Sequence, residues 1–139
     1  MATSRIHRAL MATLKKKAVA GKVVVLLGAR RVGKTELIKD FLQEWDENDY
    51  LFLNGEDRQV VDVFEEQSIA NMQRIAANKK LLVIDEAQKI PEIGQKLKLL
   101  IDHNPDIAVI ATGSSMFDLQ YKMGEPLVGR SWTLNLYPL

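Results

Sequence analysis

Residues Gly28-Ala29-Arg30-Arg31-Val32-Gly33-Lys34-Thr35 set two glycines, a lysine and a hydroxyl in the spacing G-x-x-x-x-G-K-[ST]. That spacing suits the binding of a polyphosphate. Glycines let backbone N–H groups converge on an oxygen-rich anion without Cβ interference. A helix opening at Lys34 would add unpaired N–H groups and the positive end of its dipole. Lys34 then supplies a point charge to the β and γ phosphates of a nucleotide. Thr35 offers a hydroxyl to a magnesium ion bridging the same phosphates. A chance match in a chain this long is on the order of one in a few hundred at average composition, so the pattern carries weight alone. Arg30 and Arg31 either add positive potential within the loop or, as x positions there usually do, stay solvated.

The second constellation is Leu81-Leu82-Val83-Ile84-Asp85-Glu86, an apolar run closed by two carboxylates. Acids often end strands where the chain re-enters water, so this feature gains meaning only beside the loop. In open parallel sheets ligands gather at the carboxyl ends of strands. That puts Asp85 within reach of the magnesium shell and Glu86 where it can polarise an attacking water. Phosphoryl transfer asks a protein mainly for positioning and charge stabilisation.

Three further groups are candidates. Thr112, Ser114 and Ser115 follow the fourth apolar run, where a short hydroxyl side chain reaches a γ phosphate or its water, or simply makes a Gly-Ser turn. Arg130, in Val128-Gly129-Arg130, either bridges transition-state charge on a neighbouring subunit's nucleotide or is an ordinary surface arginine. His7 and His103 share no metal-ligand spacing with other ligating residues and read as surface or helix-end histidines. Met72, Met116 and Met123 read as core filling.

The elements that must position these residues alternate between apolar runs and helical periodicity, the mark of an α/β fold on a parallel sheet. Strands are expected at 23–27, 50–53, 81–84, 107–111 and 131–137, the last alternating polar with apolar residues as a half-exposed edge strand does. Helices are expected at 34–45, 60–77, 91–103 and, briefly, 116–123. Residues 4–17 form an amphipathic segment with Ile6, Leu10 and Leu14 on one face and Arg5, Arg8 and Lys15 on the other. This acid-free basic segment also slightly resembles a mitochondrial presequence. Strand-like sequence follows it so closely that a first helix, residues 1–21, belonging to the same domain is the simpler expectation.

At 139 residues the chain suits one domain. Apolar residues at 47% and charged residues at 27% exclude a disordered or fibrous class. Absence of cysteine excludes thiol catalysis and disulfides, and fits a reducing cytoplasm. No apolar run approaches the roughly 18 residues of a membrane-spanning helix. Residues 1–35 hold nine of the 19 Lys and Arg and none of the 18 acids, leaving ten basic and eighteen acidic groups beyond. The amino-terminal quarter is thus +9 and the remainder −8, an asymmetry that permits nucleic-acid contact without demanding it. No aromatic residue precedes Phe41 to stack on bases.

Taken in order, the phosphate loop, Asp85-Glu86-Ala87-Gln88, Thr112-Gly113-Ser114-Ser115, and Gly129-Arg130 before Leu134-Asn135-Leu136-Tyr137-Pro138-Leu139 resemble the AAA-type P-loop ATPases of bacteria and archaea described only as ATP-binding proteins. Full chains of that family continue into a nuclease-like C-terminal domain of unclear activity. The resemblance covers about 22–139. It implies a P-loop NTPase three-layer sandwich with helices on both faces of a five-stranded parallel sheet of order 5-1-4-3-2. It also implies Glu86 as hydrolytic base, Ser114 as first sensor residue and Arg130 as a finger candidate. The small helical lid that normally follows in such proteins has no counterpart here, so 22–139 reads as a core truncated before its lid.

The expected function is binding and hydrolysis of ATP with Mg²⁺, driving or gating a partner domain, protein or nucleic acid, with a homo-oligomer as one expected state of the full-length protein. Catalytic roles are expected for Glu86, Lys34, Ser114 and Arg130, nucleotide contacts for residues Gly28 through Thr35, and metal ligation for Thr35 and Asp85. The alternative is a nucleotide-dependent binding switch, holding ATP or ADP with negligible turnover. A phosphate-transferring kinase has only the shared loop in its favour.

Overall fold

A computed structural model describes residues 2–28, 33–113, 127 and 129–135. Five strands, β1 (Val23–Leu27), β2 (Tyr50–Asn54), β3 (Leu81–Asp85), β4 (Ala108–Gly113) and β5 (Ser131–Asn135), form one sheet. Its order is β2-β3-β4-β1-β5 and every neighbouring pair is parallel. Read from the other edge this is the expected 5-1-4-3-2.

Helices cover both faces, and the pleat explains how. Side chains alternate across a strand, so Val23, Val25 and Leu27 of β1 join Leu82, Ile84, Val109 and Ala111 in one core. That core is closed by α3 (Arg58–Val63), α4 (Ile69–Ala76) and α5 (Ile93–His103). Val24 and Leu26 point the other way, with Leu81, Val83, Ala108 and Ile110, against α1 (Ala2–Lys17) and α2 (Lys34–Leu42). All five residues of β1 are buried, which is why that strand reads as an unbroken apolar run. α1 is held on α2 by Leu14, wholly buried, and by the pair His7–Asp40 at 2.6 Å, and on the turn after α2 by Lys15–Glu44 at 2.7 Å. At the β5 edge, Lys17 lies 3.5 Å from the centre of the Trp132 ring.

The continuous helix expected over 60–77 is two helices. Ser68 caps α4 by accepting from Asn71 N–H at 3.1 Å, and the Asn71 carboxamide donates to the carbonyls of Val63 and Glu66 at 2.9 and 2.8 Å. These bonds satisfy backbone groups that the break leaves open. Smaller differences follow from end effects: α2 stops at Leu42 and α5 starts two residues after Pro91, while β4 runs on through Thr112 and Gly113. The short helix expected at 116–123 lies outside the described residues, as do Met116, Met123, Leu136 and Tyr137.

Candidate nucleotide site

The carboxyl ends of β1, β4 and β3 lie side by side, with Leu27 opposite Gly113 and Ile84 opposite Ala111. Gly33 precedes α2 with φ 87° and ψ 17°, a left-handed geometry that favours glycine. The next residue, Lys34, is buried, and its ammonium donates to the carbonyl oxygens of Gly28 and Gly113, each at 2.8 Å. Gly28 N–H also donates to Gly113 O, at 3.2 Å. The ammonium therefore sits where β1 and β4 end.

Asp85 ends β3 one strand away. Thr112, wholly buried in β4, donates its hydroxyl proton to Asp85 Oδ1 and accepts from Glu86 N–H at 3.2 Å. Glu86 itself is buried and left-handed, with φ 51° and ψ 49°. Its carboxylate oxygen Oε2 accepts from Gln88 Nε2 at 2.6 Å. Thr35 and Asp85 line a common cavity of about 230 Å³, whose apolar wall is Ile38, Leu42, Tyr50 and Phe52. A hydroxyl and a carboxylate are hard oxygen donors of the kind Mg²⁺ takes when phosphate oxygens complete its shell. Among the described residues there is no cluster of three or more His, Asp or Glu that could hold a metal without such help.

Comparison with known proteins fits this geometry. A family model described as "AAA domain" matches residues 20–139. The chain belongs to the AAA domain family. It is also 27% identical over 126 residues to the uncharacterized protein MJ1544 of Methanocaldococcus jannaschii, a match covering 88% of this chain and 28% of that protein. Nucleotide binding of the AAA ATPase type is the function this membership carries.

Within the AAA domain the expected site residues fall into three groups. Gly28, Gly33, Lys34, Thr35, Asp85 and Glu86 come together at the carboxyl ends of the strands. Ala29, Arg30, Arg31, Val32 and Ser114 lie outside the described residues. Arg130 stands apart, at the amino end of β5, where its carbonyl accepts from Val23 N–H at 2.9 Å. Five residues of strand, about 17 Å at 3.3 Å per residue, separate it from the level of Gly28. Its guanidinium is paired with Asp102 on α5.

Reading the sequence missed three participants. In sequence Gln88 stands out only as the last residue of Asp85-Glu86-Ala87-Gln88. The Gly113 carbonyl carries no sequence signal. Gly55 follows the last residue of β2, and its N–H donates to Asp85 O at 2.7 Å. A glycine at a strand end does signal close backbone approach, and that was the available clue. No helix among the described residues is long and apolar enough to cross a membrane.

Proposed function

We propose that this chain is the ATP-binding and ATP-hydrolysing core of an AAA-type ATPase. The observation that carries the proposal is the meeting of Lys34, Thr35, Asp85 and Glu86 at the carboxyl ends of β1, β3 and β4. On ATP binding, Lys34 exchanges carbonyl acceptors for β and γ phosphate oxygens. Thr35 and Asp85 would hold the magnesium ion, which neutralises phosphate charge when bound. Glu86 accepts a proton from the water that attacks the γ phosphorus, as the bond to the β-phosphate oxygen breaks and ADP leaves. Ser114 touches the γ phosphate or the water, and the loop from Gly28 to Thr35 cradles the phosphates. Turnover drives or gates a partner domain, protein or nucleic acid; the chain itself spans 28% of the length of its archaeal relative.

The second reading, a nucleotide-dependent switch with negligible turnover, is favoured by one observation. Glu86 is already bonded through Oε2 to Gln88. If that bond persists with ATP bound, the carboxylate turns away from water. Measuring both binding and single-turnover hydrolysis in the full-length protein and in Glu86→Gln separates the readings. The ATPase reading expects Glu86→Gln to bind ATP like the parent and to lose hydrolysis, because the amide keeps shape but cannot take a proton. Equal turnover in both proteins removes Glu86 as the base, and absence of turnover in the parent leaves the switch.

A further inference from the structure

We infer that Gly55 is a positioning residue for Glu86, clamping backbone to backbone from the neighbouring strand. The inference rests on the ATPase reading and adds a residue to it. Asn54, the last residue of β2, lies opposite Asp85 in the sheet. Immediately beyond, Gly55 N–H donates to Asp85 O at 2.7 Å. A Cβ on Gly55 would stand 2.3 Å from Glu86 O, 3.1 Å from Glu86 C and 3.2 Å from Asp85 O. All three are backbone atoms, so no rotamer change can clear them.

What Gly55 touches is the backbone on either side of a strained residue. Glu86 is left-handed, a conformation that costs a non-glycine residue free energy and persists where surroundings over-determine it. Thr112 fixes its amide and Gln88 its carboxylate, while Gly55 bears on its carbonyl and on that of Asp85. The loop behind Gly55 is itself held. Asn54 Oδ1 accepts from Glu56 N–H at 2.9 Å, Asp57 N–H donates to Asn54 O at 3.0 Å, and Asp57 Oδ1 caps α3 through Gln59 N–H at 2.9 Å. Gly55 is buried while Asn54, Glu56 and Asp57 are exposed, so the clamp joins the protein surface to the hydrolytic carboxylate.

Gly55→Ala in the full-length protein tests this. The added methyl pushes the Glu86 backbone away from its place, and a misplacement of about 1 Å can cost about 10²-fold in kcat. The phosphate loop is untouched, so KM for ATP should stay within about threefold of the parent. Leu100→Ala, a core truncation on α5, is the control for general destabilisation, and its kcat per folded molecule should equal the parent's. A folded Gly55→Ala protein with parental kcat overturns the inference, as does one whose activity falls only with its folded fraction. Should Gly55→Ala not fold, Asn54→Ala decides. It removes the bond to Glu56 N–H without adding a clash, and should lower kcat at unchanged KM, whereas parental kcat overturns the clamp. Loss of turnover in Glu86→Gln alongside parental turnover in Gly55→Ala sinks this inference alone. Equal turnover in Glu86→Gln and parent sinks the reading beneath it as well.

Discussion

Thr112 is bonded to Asp85 from the adjacent strand, its hydroxyl donating to the carboxylate while the same oxygen accepts from the amide that follows. One buried hydroxyl thus ties together the two acids that end β3. Thr112→Val keeps the shape and removes both bonds. Leaving a buried donor without its partner costs about 1–3 kcal/mol, so urea unfolding should show a loss of that size. Thr112→Ser, which retains the hydroxyl, should lose less. Equal stability of all three proteins would mean that the hydroxyl does not hold the acids.

Lys34→Ala should abolish binding of ATP and ADP if Lys34 meets the β and γ phosphates as proposed. The fold should survive at a cost. Two carbonyl oxygens, on Gly28 and Gly113, lose a charged donor, and hydrogen bonds to charged groups are worth about 1.5–3 kcal/mol each before solvent makes good part of the loss. Calorimetric titration and thermal unfolding check the two halves. Retained affinity with magnesium present would show that nucleotide binds elsewhere.

How much of this was legible in the sequence depended on the range of the interactions involved. Strand β1 was legible because burial on both faces forces an apolar run. The break between α3 and α4 was not, because Val60, Phe64, Met72 and Ala76 continue one i, i+4 pattern across it and all are buried. Ser68, the one residue in that series that is not apolar, was the overlooked cap. The same division runs through the site. Lys34 and Asp85 are placed by local rules, a glycine turn into a helix and a strand meeting water. Gly55 and the Gly113 carbonyl matter only because β2 lies beside β3 and β4 beside β1. No local pattern encodes that adjacency; the strand order came from family resemblance.

Lys96 gives a pH-dependent prediction away from the site. It is buried on α5, and desolvation lowers its pKa below the ordinary lysine value, with Glu92 and Glu65 opposing. Below the folded pKa the lysine is charged in both states, and its burial costs stability. Between the folded pKa and the unfolded value of about 10.4 the unfolded state binds more protons, so stability rises with pH there. Lys96→Met should therefore be more stable than the parent at pH 7, and the gain should shrink towards pH 10. Denaturant midpoints across that range would check it. A loss of stability at pH 7 would show that the ammonium is held favourably.

Arg130 stands at the amino end of β5, at the opposite end of the sheet from Gly28 and Lys34 of its own chain. The distance leaves it two roles, an arginine finger completing a neighbour's site or a surface residue paired with Asp102. The pair is partly exposed, with 42% and 31% of the two side chains accessible, and exposed pairs contribute about 0–1 kcal/mol. Arg130→Ala should thus leave stability nearly unchanged. A finger, by contrast, is worth about 10³ to 10⁵ in rate, so the same variant should lose turnover while keeping ATP binding. Hydrolysis should then require assembly, and activity per subunit should fall steeply on dilution. Mixing inactive Arg130→Ala with inactive Lys34→Ala, both full-length, should restore partial activity, because some interfaces pair an intact phosphate loop with an intact arginine. A surface role predicts parental turnover in Arg130→Ala. If the variant is inactive and the mixture stays inactive although the two proteins co-assemble, Arg130 acts through its own chain and the finger assignment falls.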